Sequence, residues 1–181
     1  MGNTRTGRPD EKEFSPYYKG YIGQVLEDDA VTALEAELNE SLTFFRGIDD
    51  QVARKAYAEG KWTIREVLGH IVDTERIMAY RALRFGRNDP TDLPGFEQDD
   101  YIQGAAFNDI AMSDLLREFE HVRRANILMF RNLPAAAWLR TGTANGKQVS
   151  VRALAFIIAG HEKHHRKIVK ERYLNGTGAA N

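Results

Sequence analysis

The 181-residue chain has no cysteine. Disulfides and thiolate metal sites are therefore excluded, and a metal could be held only by His, Asp or Glu. Net charge is nearly absent too: 25 Lys and Arg against 26 Asp and Glu leave a formal −1. No broad basic field exists to attract nucleic acid or anionic lipid. No apolar run approaches the ~18 residues of a spanning helix. Residues 1–10 lack the apolar stretch of a signal peptide. Glycine-rich phosphate loops, nucleophile elbows and nucleic-acid motifs are missing as well. These absences leave a cytoplasmic, bacterial-type enzyme or binding protein acting on a small molecule, with neither nucleic acid nor membrane as partner.

What is present is amphipathic. A hydrophobic content of 43% is enough to build one ordinary core. Residues 1–12 read as a flexible lead-in, 13–175 as one domain and 176–181 as a flexible tail. Phe14 to Ile22 reads as an aromatic arm lying over that domain. Four segments carry apolar residues at helical spacing. The first, about Asp29 to Phe45, has Asp28 or Asp29 to cap it and Gly47 to stop it. The second opens on Thr63 and Glu66, an S/T-x-x-E capping box with Trp62 before it, and ends near Gly86. The third spans about Ser113 to Asn132, with Pro134 beyond it. The fourth starts after Ser150 and runs to about Leu174. Four helices with one apolar stripe each predict an all-α four-helix bundle. Residues 86–112 have no helical period, and so long a crossover lets the second and third helices run parallel. Asn145-Gly146 predicts a tight turn, as of a small hairpin, before the fourth helix.

Assigning ~100° per residue selects among the five histidines. His161 and His165, four apart, fall near the centre of the fourth helix's apolar face. His70 lies at the flank of the second helix's face, beside a helix–helix groove. His164 lies well off the apolar face, and His121 points away from the core. Two readings stay open. A single histidine near an apolar face is most often a satisfied core residue. A pair at i,i+4, each with two ring nitrogens needing partners, is satisfied at once by a shared metal. Three protein ligands with one position left open make a catalytic rather than a structural site. Buried carboxylates also need partners. Glu75, near the centre of the second helix's apolar face, can pair with Arg123 or support a ligating imidazole. Glu162 can act as general base to a metal-bound water or form a salt bridge. Asn126 can donate to a buried histidine or bond backbone.

Two other metal patterns occur. His161-Glu162-x-x-His165 matches the zincin pattern H-E-x-x-H, but no sheet precedes it and only Glu171 follows as a further ligand. Glu118/His121 and Glu162/His165 match the paired Glu-x-x-His of di-iron bundles, but His121 faces outward.

Trp62-Thr-Ile-Arg-Glu-Val-Leu-Gly-His70, followed by Asp73 and Glu75, resembles the second-helix signature of the DinB-like superfamily. Gly160-His-Glu-Lys-His-His165 resembles its fourth-helix signature. Leu93-Pro-Gly-Phe-Glu-Gln-Asp-Asp-Tyr101 and Trp138 are similar to the loops of one branch. The resemblance runs from about Tyr17 to Tyr173. It implies an up-down-down-up bundle, a homodimer, and a divalent metal, zinc or nickel, on three histidines that map onto His70, His161 and His165. Members of that superfamily include thiol S-transferases and a thiol-dependent isomerase, and many others are named only as metal-dependent hydrolases. The expectation is transfer of a low-molecular-weight thiol to an electrophile. The alternatives are a hydrolase using metal-bound water and a non-enzymatic, stress-related metal-binding bundle. The loop 86–112, the aromatic arm and Trp138 are the expected walls of the pocket.

Overall fold

A computed structural model describes residues 6–175. The first five residues of the expected lead-in and the whole expected tail, 176–181, lie outside the described residues. In chain order the α-helices are α1 (Lys19–Ile22), α2 (Ala30–Arg46), α3 (Asp50–Ala53), α4 (Ile64–Gly86), α5 (Gln98–Gly104), α6 (Met112–Arg131) and α7 (Val151–Ile168). One hairpin, β1 (Thr141–Ala144) with β2 (Lys147–Ser150), is the one sheet among the described residues.

The long helices begin where local chemistry satisfies their free amides. Asp29 accepts from Thr32 N at 2.9 Å to start α2. Thr63 and Glu66 close the reciprocal capping box of α4, with Glu66 N to Thr63 Oγ1 at 3.2 Å and Thr63 N to Glu66 Oε2 at 2.7 Å. Ser150 accepts from Ala153 N at 3.0 Å to start α7. Helix α6 has no side-chain cap of its own. Instead Asp50 of α3 accepts from Met112 N at 3.2 Å, which starts the helix one residue before Ser113.

Side-chain pairs fix the direction of each bundle helix. Glu35 pairs with Arg131 and Arg46 with Glu120, so α2 and α6 run antiparallel. Thr63 meets Asn108, Glu75 meets Arg123, and Gly86 lies under Leu133, so α4 runs parallel to the segment leading into and through α6. Tyr173 reaches the Trp62 carbonyl while His70 meets His161, so α7 runs antiparallel to α4. The topology is therefore up-down-down-up, made possible by the long crossover between α4 and α6. Phe45, Phe85, Phe119, Phe130 and Phe156, one or two from each bundle helix, are fully buried between them. Each stabilises the bundle by about 1.5–3 kcal/mol relative to exposure. No helix among the described residues is long and apolar enough to cross a membrane.

Arg8 donates to the carbonyls of Ile22, Val25 and Glu27, at and after the end of α1, at 3.0, 2.7 and 3.1 Å. Two expectations need correction. The crossover is not without helix, because it carries α5 and a 3-10 turn, Phe107–Asp109. The fourth helix does not stay α to Leu174. Its last turn, Val169–Leu174, is a π-helix, from which the Tyr173 hydroxyl donates to the Trp62 carbonyl at 2.7 Å.

The hairpin turns on Asn145 and Gly146, both at positive φ (51° and 68°), as the Asn-Gly pair predicts. A Cβ on Gly142 would lie 2.1 Å from the Phe85 ring, so β1 lies directly on α4. Leu93 of the crossover exchanges backbone hydrogen bonds with Thr143 and Asn145, at 2.9 and 3.0 Å. The hairpin and the crossover thereby form one wall beside α4.

Candidate metal centre

Helix α4 supplies His70, and α7 supplies His161 and His165 one turn apart on the face turned to α4. Their ligand atoms all lie within 4.8 Å of one another. His70 Nε2 and His161 Nε2 are 3.0 Å apart. Tetrahedral coordination with bonds of about 2.0–2.1 Å sets ligand nitrogens about 3.3 Å apart, so small side-chain adjustments would seat an ion. Among the described residues no fourth histidine or carboxylate joins the group. The arrangement matches three protein ligands with an open side.

The rings are held from outside by aromatic neighbours. Trp62 lies against His70, with centroids 4.9 Å apart, and Tyr21 stands edge-on to His161 at 5.4 Å. Two glycines, each one residue before a histidine, let neighbours close on these helices: Gly69 admits Phe107 to α4 and Gly160 admits Tyr21 to α7. A Cβ on Gly69 would fall 2.5 Å from the Phe107 ring. A Cβ on Gly160 would fall 2.1 Å from the Tyr21 carbonyl oxygen. Burial pushes His70 down to about 4 and His165 to about 3. His161, enclosed and next to His165 and His70, is held well below its ordinary value. All three are neutral near pH 7, the state in which imidazole binds metal. The chemistry and spacing of the donors fit a divalent cation.

The other histidines stay apart. His164 faces Gln24, with Nδ1 3.4 Å from Nε2 of that residue, and His121 is exposed on α6. Glu118 pairs with Arg76 at 2.6 Å, so the second Glu-x-x-His does not face the bundle interior.

Of the readings open for Glu75, Asn126 and Glu162, the structure shows the ion-pair ones: Glu75 meets Arg123, and Glu162 approaches Arg166 and Arg123. Glu75 accepts from Arg123 Nε at 2.8 Å and from Asn126 Nδ2 at 3.1 Å. Glu162 accepts from Ser41 and lies 3.5 Å from Arg166 and 4.0 Å from Arg123. Its position one residue after His161 turns it about 100° around α7, toward α2 rather than α4. Burial, opposed by Arg123 and Arg166, raises the Glu162 carboxyl to about 7. Glu75, Asn126 and Glu162 thus surround the fully buried Arg123, and none of them touches a ring nitrogen of the triad among the described contacts.

A cleft of about 410 Å³ adjoins His70 and His161. One wall is α4, through Thr74, Met78 and Arg81. The arm adds Tyr18 and Tyr21, and the crossover adds Phe96 through Asp99. The hairpin contributes Asn145 and Lys147, which sequence reasoning missed. Trp138, an expected wall residue, is instead buried and stacked on Phe130 at 5.6 Å. Arg81 was also missed, although His70, Thr74, Met78 and Arg81 fall at i, i+4, i+8 and i+11, one face of a helix.

The sequence profile described as the DinB superfamily matches residues 33–169, which span most of the bundle and all three histidines. A protein of Oceanobacillus iheyensis bearing the name "Putative metal-dependent hydrolase OB0413" is 26% identical over 136 residues, 73% of this chain and 76% of its own. The solved structure of YfiT from Bacillus subtilis, described as a probable metal-dependent hydrolase with an unusual four-helix bundle topology, superposes with a TM-score of 0.68. The match covers 94% of each chain at 14% identity, and it bears on the fold alone. With the profile covering more than half of its length, this chain belongs to the DinB superfamily.

Proposed function

We propose that the protein is a metal-dependent enzyme that holds one divalent ion, zinc or nickel, on His70, His161 and His165. Its substrate is a small molecule in the adjoining cleft, and its reaction is transfer of a low-molecular-weight thiol to an electrophile. The observation that carries this reading is the convergence of three neutral imidazoles beside a cleft, with no fourth protein ligand among the described residues. When bound, the ion would lower the pKa of a thiol and hold it as thiolate. Three neutral donors leave the full charge of the ion available to that anion. Trp62 and Tyr21 orient the imidazoles and exclude water from their outer faces. Glu162 turns toward α2, so the thiol reading has the advantage of needing no carboxylate base at that position.

A second reading is hydrolysis. The names of the two similar proteins favour it, and so does Asp99, a cleft carboxylate whose charge acts on His70 and could take a proton from water. The two are separated by incubating metal-loaded protein with several cellular thiols and a halogenated electrophile. No acceleration over thiol alone would count against transfer. Ester or amide turnover without thiol, lost on His161→Ala and on Asp99→Asn, would establish hydrolysis. We also propose a homodimer, on the ground of the family resemblance, to be read by light scattering.

A further inference from the structure

Three arginines are buried among the described residues: Arg65, Arg81 and Arg123. Two have a carboxylate. Arg65 pairs with Asp50, and Arg123 pairs with Glu75 at 2.8 Å. Arg81 has none within 4.0 Å among the described residues, though it is only 4% exposed. It donates to the Pro94 carbonyl at 2.7 Å and weakly to Met78 Sδ at 3.5 Å, and the Tyr18 hydroxyl lies beside it. All of these partners are neutral, so the charge is uncompensated. A guanidinium withdrawn from water without a counter-ion is costly, and the cost is relieved when a ligand brings the missing charge. Arg81 also lines the cleft beside the histidines, on the same face of α4 as His70. The carboxylates of the cleft, Glu97 and Asp99, are exposed on the crossover, and neither pairs with it.

We infer that the cleft takes an elongated small molecule carrying a carboxylate, and that Arg81 receives this group while the reacting end lies at the imidazoles. The second half of the inference rests on the metal-site reading above. The planar fork of arginine suits a two-oxygen carboxylate. A phosphate dianion would call for further buried donors, and the other cation of the cleft, Lys147, is exposed. Eleven residues of helix separate His70 from Arg81, about 16 Å along the axis. The Arg81 side chain leans back toward the helix N-terminus and so toward His70, which shortens the span.

The test uses zinc-loaded protein whose metal content has been measured. Calorimetry compares ω-mercaptocarboxylic acids of two to six methylenes with mercaptoalcohols of equal length and with ω-mercaptoalkyl phosphates. The acids should bind about tenfold or more tightly than the alcohols at one preferred length. Arg81→Gln should abolish that preference, with metal content unchanged. Arg84→Gln, which breaks the pair with Asp89 outside the cleft, should keep it, which separates an anion receptor from a general effect of removing a cation from α4. Should Arg81→Gln fail to fold, the acid-to-alcohol ratio of the unaltered protein decides. Equal binding of acid and alcohol, or preference for the phosphate, overturns the inference and leaves the metal reading standing. Failure of every thiol to bind overturns the thiol reading instead. Arg81 is then tested alone by the melting temperature of the metal-free protein in glutarate against 1,5-pentanediol, where no difference overturns it.

Discussion

The carbonyl oxygen of Tyr21 presses on α7 at Gly160, where a Cβ would lie 2.1 Å from it. The obstacle is backbone on one side and a helix on the other, so neither can rotate away. Gly160→Ala should push the arm off the bundle and cost about 1–3 kcal/mol, as overpacking of a close contact does. In a chain of this size that is roughly 2–4 °C of melting temperature per kcal/mol. Displacing Tyr21 also uncovers His161, so proteolysis within residues 14–24 should quicken. An unchanged melting temperature with an equally resistant arm would show that the contact is not needed.

Much of this was legible in the chain. Thr63 and Glu66 announced the start of α4 because a capping box is local chemistry, and Asn145-Gly146 announced the hairpin because both residues tolerate positive φ. The triad was legible because the angle of a side chain about its helix follows from spacing alone. The Glu75–Arg123 pair was one of the two readings left open, since both side chains face the groove between their helices. Glu162 was harder: a helical wheel says that a carboxylate faces inward, but not which neighbouring helix fills the groove it enters, and Arg123 lies 39 positions away in sequence. The Arg8 contacts and the place of the hairpin in the cleft depend on how irregular segments fold back, and no periodicity encodes that, whereas Arg81 shares the helix face of His70 and was open to the same spacing argument.

Arg123 is the hinge of the buried charges, and its loss should be severe. It pairs with Glu75, approaches Glu162 and donates to the Leu34 carbonyl at 3.2 Å, all without exposure to water. Arg123→Met leaves one carboxylate buried and unpaired and should cost about 3–5 kcal/mol in urea unfolding. Arg131→Ala, which breaks an exposed pair with Glu35, should cost less than about 1 kcal/mol. Similar losses for the two would contradict the burial assigned to this network.

The metal-free protein should gain stability as pH rises from about 4 to 6.5. His70 titrates at about 4 and His165 at about 3 in the fold, with His161 well below its ordinary value, against 6.5 for an unperturbed histidine. In that window the unfolded chain binds protons that the folded chain refuses, so acidification favours unfolding. The contribution is complete above pH 6.5 and is lost as pH falls toward 4. Glu162 acts in the opposite sense. Its carboxyl is raised from 4.5 to about 7, so its share is present below pH 4.5 and lost as pH rises through 7. Three imidazoles outweigh one carboxyl between 4.5 and 6.5. Urea melts across this range should give a rising slope that His70→Gln reduces, and a flat or falling profile would refute the burial of the triad.

Metal uptake should discriminate sharply among the five histidines. Loss of a group that merely orients a ligand lowers affinity by about 10–100-fold, so loss of a ligand itself should exceed about 100-fold. His70→Ala, His161→Ala and His165→Ala should each show it when zinc competes against a chromophoric chelator. His164→Ala and His121→Ala should stay within a few-fold of the unaltered protein, because neither ring joins the group. The control at His164 is the sharper one, since it adjoins His165 in sequence and its ring lies 5.3 Å away. Chelation should lower stability in parallel, by about 2.7 kcal/mol for each hundredfold excess of free metal over its dissociation constant beforehand. A His164→Ala loss equal to that of His165→Ala would mean that the ion sits on the outer side of α7, away from α4 and the cleft.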